Sequence, residues 1–252
     1  MIKIIKLGSG FSSNQCENQV LIGGVVCPLT SSSSTSLTCQ LSTSNSQLQS
    51  NVQYPVEVLV KNFGYALQSS TFLITFVPVI TSFTPTTGSI VGGTQITING
   101  LGFSSSGYVQ FGTIPNYFFY NNDGNNTNIT FSSIVINTAS LSNFGISKDS
   151  NYEIKVYSNG QKAVCSVANS CNFTFSSSIT PNIISISPTT VSGSTLMTIS
   201  GTNFVNNMSL VKVVIGNQQC VAASATTTEI TCQLDGLNLG SQNVLLNING
   251  SF

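Results

Sequence analysis

Apolar and polar residues alternate along most of this chain, in short runs separated by clusters of Gly, Ser, Thr and Asn. Tyr54 to Val60, Val109 to Phe111, Asn151 to Val156 and Met197 to Ile199 each place an apolar side chain at every second position. A period of two puts those side chains on one face of an extended strand, leaving the other face to water. No stretch of useful length repeats apolar residues at the helical period of about 3.6. The pattern predicts an all-β chain without substantial helix, folded as antiparallel meanders of sandwich type.

The pattern also repeats on a longer scale. Pro78 to Phe103, PVITSFTPTTGSIVGGTQITINGLGF, recurs 103 positions later as Pro181 to Phe204, PNIISISPTTVSGSTLMTISGTNF. In both, a second proline (Pro85, Pro188) stands seven positions after the first, and a Gly/Ser/Thr turn leads into an alternating strand. Gly100-Leu101-Gly102-Phe103 and Gly201-Thr202-Asn203-Phe204 close that strand, with small or turn-forming residues placed before an aromatic suited to a core. The tail of the unit appears once more at the start, as Ile2-Lys3-Ile4 followed by Gly8-Ser9-Gly10-Phe11, and Ile2-Lys3-Ile4 aligns with Ile96-Thr97-Ile98. Repetition at this period indicates tandem domains rather than a single fold.

This unit resembles the start of an IPT/TIG domain, on Pro78, Pro85, Gly92, Gly93, Thr94, Gly100, Gly102 and Phe103 and again on Pro181, Pro188, Gly193, Thr195, Gly201, Asn203 and Phe204. The later copy departs from the pattern by lacking two residues and by carrying Ser194 for the second Gly of the turn. The resemblance implies tandem immunoglobulin-like β-sandwiches of the E-set type. It implies no one function, because modules of this kind serve as adhesion units, receptor stalks, DNA-contacting domains and enzyme appendages.

Taken in order, 1–77 reads as a domain lacking its first strand, 78–177 as a complete domain, and 181–252 as a domain lacking its last strand. The expectation that follows is a segment of a longer ectodomain or the product of a truncated gene. Val20 to Gly23, Val109 to Gly112 and Val213 to Gly216 are equivalent strands, each ending in glycine. In the middle domain, Asn151 to Val156 and Asn172 to Phe175 form a last hairpin, with Asn159-Gly160 suited to a type I′ turn. Tyr117-Phe118-Phe119-Tyr120 reads either as sandwich core or as an aromatic binding patch. The following loop, Asn121 to Asn128, is rich in oxygen but lacks the acidic spacing of a calcium loop.

Composition narrows the function. Charged residues make up 6% of the chain, against roughly 25% in ordinary globular proteins, and the formal net charge is zero. All basic residues are lysines, and Arg, His and Trp are absent. Without Arg or a basic patch, nucleic acid is not an expected partner, which sets aside the DNA-binding branch of the family. Without His, the common catalytic triads and most zinc sites are out of reach. Asp149 and Glu153 are separated by strand geometry, and Glu17, Glu57, Asp123, Glu229 and Asp235 are scattered. The chain is therefore expected not to be an enzyme and to need no cofactor or metal. No apolar run approaches the ~20 residues of a membrane-spanning helix, and the first ten residues are too short and glycine-broken for a signal peptide.

The cysteines use the repeats as an internal control. Cys27 and Cys39 are twelve positions apart, as are Cys220 and Cys232. The first member of each pair stands four positions after a strand-ending Gly, and the second directly follows a Thr. The middle domain has Asn116 and Phe131 at the matching places, so both cysteines are present or absent together, as expected of disulfides 27–39 and 220–232. Buried free thiols are the alternative. Cys165 and Cys171 form a further local pair on weaker grounds, and Cys16 is left over. Asn125, Asn128, Asn172, Asn207 and Asn249 each begin an Asn-x-Ser/Thr sequon, Asn125 and Asn128 in an expected surface loop. Paired cysteines and sequons together indicate the oxidising, secretory route.

The low-charge Asn/Ser/Thr style is similar to that of IPT/TIG surface proteins expanded in social amoebae. The resemblance implies an extracellular glycoprotein acting in recognition or adhesion, with another cell-surface protein as homophilic or heterophilic partner and no membrane insertion of this segment. The alternatives are a carbohydrate-binding or spacer module of a secreted protein, and a non-functional fragment of a larger surface receptor.

Overall fold

A computed structural model describes residues 2–41, 48–67, 70–114, 118–119, 128–141, 149–166, 171–236 and 240–248. Regular structure among them is almost entirely strand, with a few single-turn 3-10 helices. The alternation seen in the sequence is the cause: Val56, Val58 and Val60 are all buried on one face of Gln53–Val60 while Glu57 on the same strand is exposed. The chain divides into two compact units, one of Met1–Phe83, Thr97–Val135 and Ile154–Cys171 and the other of Thr84–Ile96, Ile136–Glu153 and Asn172–Phe252.

In the first unit, Ile2–Leu7, Ser36–Leu41 and Leu29–Ser32 make one sheet. Val25–Cys27, Asn18–Ile22, Gln53–Val60 and Gly64–Tyr65 make a second, with Leu73–Thr75 also paired to Gln53–Val60. Phe11, Val20, Ile22, Leu37, Val58 and Phe76 belong to the core of this repeat. The chain crosses from one sheet to the other at Pro28. Val25–Cys27 pairs with Asn18–Ile22, and Leu29–Ser32 pairs with Ser36–Leu41. Proline has no N–H for a ladder, which breaks the strand at this corner.

The second unit contains the third repeat, in which Asn182–Ser187, Thr195–Thr202, Glu229–Leu234, Gln218–Ala225, Val211–Ile215 and Val244–Ile248 are paired in that order. Here the crossing strand is continuous. Gln218–Ala225 pairs with Val211–Ile215 up to Cys220 and with Glu229–Leu234 from Val221 onward. Both repeats carry an irregularity just past the corner, between Leu29 and Ser31 and between Ala222 and Ser224. Pro85 and Pro188, the second prolines of the repeat motif, are both cis.

Strand pairing moves one sequence alignment by two residues. Ile4 lies opposite Cys39 as Met197 lies opposite Cys232, and Lys6 lies opposite Leu37 as Ile199 lies opposite Ile230. Ile4 therefore matches Ile96 and Met197, and Lys6 matches Ile98 and Ile199, rather than Ile2 and Ile4 matching that pair. Ile98 and Ile199 are fully buried. Lys6 occupies the same place, its Nζ is covered, and it has no hydrogen-bond partner among the described residues. The amine sits 3.2 Å from the centroid of the Phe72 ring. Desolvation holds its pKa below the usual 10.5 in spite of that ring, whose face favours the charged form.

The middle repeat also differs from expectation at its last hairpin. Asn159 and Gly160 have φ of 48° and 77°, both in the left-handed region that a type I′ turn needs. This turn returns Ser150–Ser158 into the short strand Gln161–Lys162, not into Asn172–Ser176. Val164–Cys165 then runs parallel to the start of Val79–Thr84. Only afterwards does Asn172–Ser176 pair with the beginning of Ser150–Ser158. The expected final strand is thus shared among separate short segments.

Candidate functional site

The structure brings together each cysteine pair considered in the sequence. Cys27 and Cys39 have sulfurs 2.15 Å apart, Cys220 and Cys232 2.08 Å, and Cys165 and Cys171 2.11 Å. The outer pairs sit at the strand corners, where Cys27 and Cys220 end the pairing with one strand and Cys39 and Cys232 lie on the next. All four of these residues are buried. Cys16 is exposed and has no disulfide partner. It lines an open depression of about 560 Å³ together with Glu17, Val26, Leu29, Leu59 and Lys61.

The sequons are dispersed. Asn172 is exposed at the start of Asn172–Ser176. Asn207 is exposed too, and its side-chain oxygen accepts from the backbone N–H and the hydroxyl of Ser209, at 3.1 and 2.7 Å. Asn128 begins the strand Asn128–Ile129. Asn125 and Asn249 lie outside the described residues. Of the aromatic run, Phe118–Phe119 is a short strand paired with Gly107–Phe111, while Tyr117, Tyr120 and 121–127 lie outside the described residues. Asp149 accepts from the Ser177 N–H at 2.7 Å and the Ser176 hydroxyl at 3.1 Å. The Ser177 contacts hold its carboxyl below the usual range, as fits a local cap. No group of three or more His, Cys, Asp or Glu among the described residues is placed to share a metal ion. No helix among them is long and apolar enough to cross a membrane.

One surface escaped the sequence reading. Gly64–Tyr65 is an edge strand, paired to Gln53–Val60 after the turn at Asn62 and Phe63. Phe63, Tyr65 and Leu67 are 87%, 65% and 101% exposed, while Ala66 between them packs against the core. All three side chains are open to solvent, Tyr65 on the strand and Phe63 and Leu67 on either side of it. Phe72 and Leu73, on the segment that returns along the same long strand, are also about half exposed. Isolated exposed hydrophobics are ordinary, but an outward run on one sheet edge is a feature of interaction surfaces. Alternation alone could not reveal it, because an outward apolar residue and an inward one give the same period.

Comparison with known proteins places the chain. The IPT/TIG domain model matches residues 3–76, 78–175 and 181–252. Human fibrocystin-L is 30% identical over 245 residues, covering 94% of this chain and 5% of that protein. Fibrocystin-L of Mus musculus is 27% identical over the same length, covering 96% of this chain and again 5% of its own. This chain thus spans about one twentieth of those curated relatives. Among solved structures, the full extracellular region of plexin A4 aligns over 98% of this chain and 21% of its own, with 20% identity and a TM-score of 0.43. Matched along nearly its whole length by three copies of one domain model, the chain belongs to the IPT/TIG domain family.

Proposed function

We propose that this chain is a non-enzymatic extracellular recognition module, made of IPT/TIG domains at 1–77, 78–177 and 181–252, that binds another cell-surface protein. The observation that carries the reading is the exposed strip of Phe63, Tyr65 and Leu67, along the edge strand Gly64–Tyr65 and its two flanks. Charged residues make up only 6% of the whole chain. A large aromatic or aliphatic side chain presented to solvent on a rigid sheet is the type of anchor that protein interfaces bury. Corner disulfides at Cys27–Cys39 and Cys220–Cys232 support an oxidising, extracellular setting. Glycan attachment is expected at the sequons Asn125, Asn128, Asn172, Asn207 and Asn249, of which Asn172 and Asn207 are exposed.

The test displays the secreted chain on beads and on cells and scores bead clustering and cell capture. Clustering of identical beads would mark a homophilic partner, and capture by other cells a heterophilic one. Replacing Phe63, Tyr65 and Leu67 with serine is expected to abolish both without unfolding the protein. Binding that survives the triple replacement would remove this strip from the reading.

A second reading, carbohydrate binding, is favoured by the exposed rings of Phe63 and Tyr65. Sugar rings stack on aromatic faces, and a chain of such low charge suits a neutral glycan. Capture that is lost when the target cells are stripped of glycans, and kept when surface protein is digested, would select it.

A further inference from the structure

Ser50 and Ser158 are far apart in sequence, in the first and middle repeats, and both are completely buried. Two hydroxyls withdrawn from water cost stability unless each finds a partner. Their surroundings supply one. The Ser50 hydroxyl lies 2.9 Å from that of Ser158, which lies 3.0 Å from the hydroxyl of Ser104. Ser104 in turn reaches Oδ1 of Asn159 at 3.0 Å. Nδ2 of Asn159 then donates back to the backbone carbonyl of Ser50 at 3.0 Å and to Oε1 of Gln49 at 3.3 Å. With one proton per hydroxyl, these contacts allow a directed circuit, Ser50 to Ser158 to Ser104 to Asn159 and back to the Ser50 carbonyl; the carbonyls of Gly102 and Ser106 are second acceptors for Ser158 and Ser104, at 3.2 and 2.9 Å.

A second clasp lies over the first. Nδ2 of Asn51 donates to the carbonyl of Asn159 at 2.8 Å. Asn51 and Asn159 have φ of 58° and 48°, left-handed conformations that asparagine tolerates better than most residues. Each asparagine therefore directs its amide at the backbone of the opposite repeat. The Asn159 N–H is also fixed by the carbonyl of Ser106 at 2.8 Å, which anchors the turn to its own repeat.

We propose that this circuit latches the first and middle repeats into one rigid body, with the Asn159 amide as the group that closes it. The latch is directional. Residue 159 donates to the Ser50 carbonyl from the same group that accepts from Ser104, a donation that an amide makes and a carboxylate cannot. Hydrogen bonds arranged head to tail in a buried setting strengthen one another, so loss of the closing donor weakens the whole circuit. This inference stands apart from the recognition reading, since it concerns how the repeats are held and not what they bind.

The experiment uses the full chain with Cys16 replaced by serine and spin labels attached at Lys61→Cys and Thr113→Cys, one in each repeat. The unmodified latch gives a single narrow distance peak. Asn159→Asp, nearly identical in shape, is expected to lose that narrow peak while the near-ultraviolet circular dichroism of the folded chain persists. Asn51→Gly, which keeps the backbone conformation and removes the second clasp, is expected to broaden the peak less. A peak equally narrow in the wild type and in Asn159→Asp would overturn the proposal. If Asn159→Asp prevents folding, Ser50→Ala and Asn51→Gly act from the other repeat, and an unchanged peak in both would overturn it equally.

Discussion

The first and third repeats are two solutions to one plan, and they differ at a matched core position. Both cross between strands at a disulfide, and both place an irregularity just past it. Opposite Ile230 the third repeat sets Ile199, fully buried, whereas opposite Leu37 the first repeat sets Lys6. The lysine reaches across its methylene stem to put its amine against Phe72, where it is capped rather than hydrogen-bonded. A sandwich held by a corner disulfide evidently tolerates a polar group at this position. The comparison teaches that a place filled by a fully buried isoleucine in one repeat can hold, in another, a lysine whose covered amine lies on an aromatic ring.

Carrying the lysine into the better-packed repeat should have the largest effect. Ile199→Lys places an ammonium among the buried apolar residues Met197, Val213 and Ile230, and an uncompensated buried charge costs about 4 kcal/mol. Chemical denaturation is expected to show the loss in the third repeat. A loss no larger than that of a surface substitution would mean the two core positions are not equivalent.

The glycines opening the Gly-x-Gly/Asn-Phe turn sharpen the same comparison. A Cβ on Gly201 would lie 2.1 Å from the carbonyl oxygen of Asn182, on the strand preceding it. A Cβ on Gly8 would meet the Phe11 ring at 2.6 Å, and no backbone atom is among its nearest neighbours. Backbone in a sheet yields less than a ring tip, so Gly201→Ala is expected to cost about 3 kcal/mol and Gly8→Ala about 1 kcal/mol. Equal losses, measured by the denaturation midpoint of each variant, would break the distinction.

The smallest effect runs in the opposite direction. Lys6→Ile restores the residue type of the other repeats and is expected to stabilise the first repeat by about 1 kcal/mol. Its pH dependence follows from the lowered pKa. Where the folded amine has already released its proton, the unfolded chain still holds one, so the unfolded state binds more protons and stability rises with pH. The gain should accumulate as pH climbs through the lowered folded value to the ordinary 10.5, and should be missing in Lys6→Ile. Parallel pH profiles for the two proteins would show that the amine titrates as if exposed.

The all-β fold, the repeats and the cysteine pairs were legible because each leaves a periodic or spaced mark. The register of the first strand was not. Sliding Ile2-Lys3-Ile4 by two residues keeps every side chain on the same face, so alternation cannot detect the slip. The spacing to Gly8 and the pairing of Ile4 with Cys39 fix it. Asn159-Gly160 announced a turn, but the short return and later arrival of Asn172–Ser176 depend on partners far along the chain. Ser50 leaves no mark in the sequence pattern; its burial goes with the bridge to Phe76 and the contacts of Ser158 and Asn159. Phe63, Tyr65 and Leu67 give no signal of their own in the sequence, because which side faces the core is settled by Ala66 and the sheet beneath.

The most direct test of the whole account is a peptide mass map of the chain secreted from a eukaryotic host, run without reduction and before and after glycan removal. The account predicts linked peptides for Cys27 with Cys39, Cys165 with Cys171 and Cys220 with Cys232, and sugar on at least one of Asn125, Asn128, Asn172 and Asn207. Soluble, folded protein with free thiols and bare asparagines would contradict an extracellular module and the recognition role built on it.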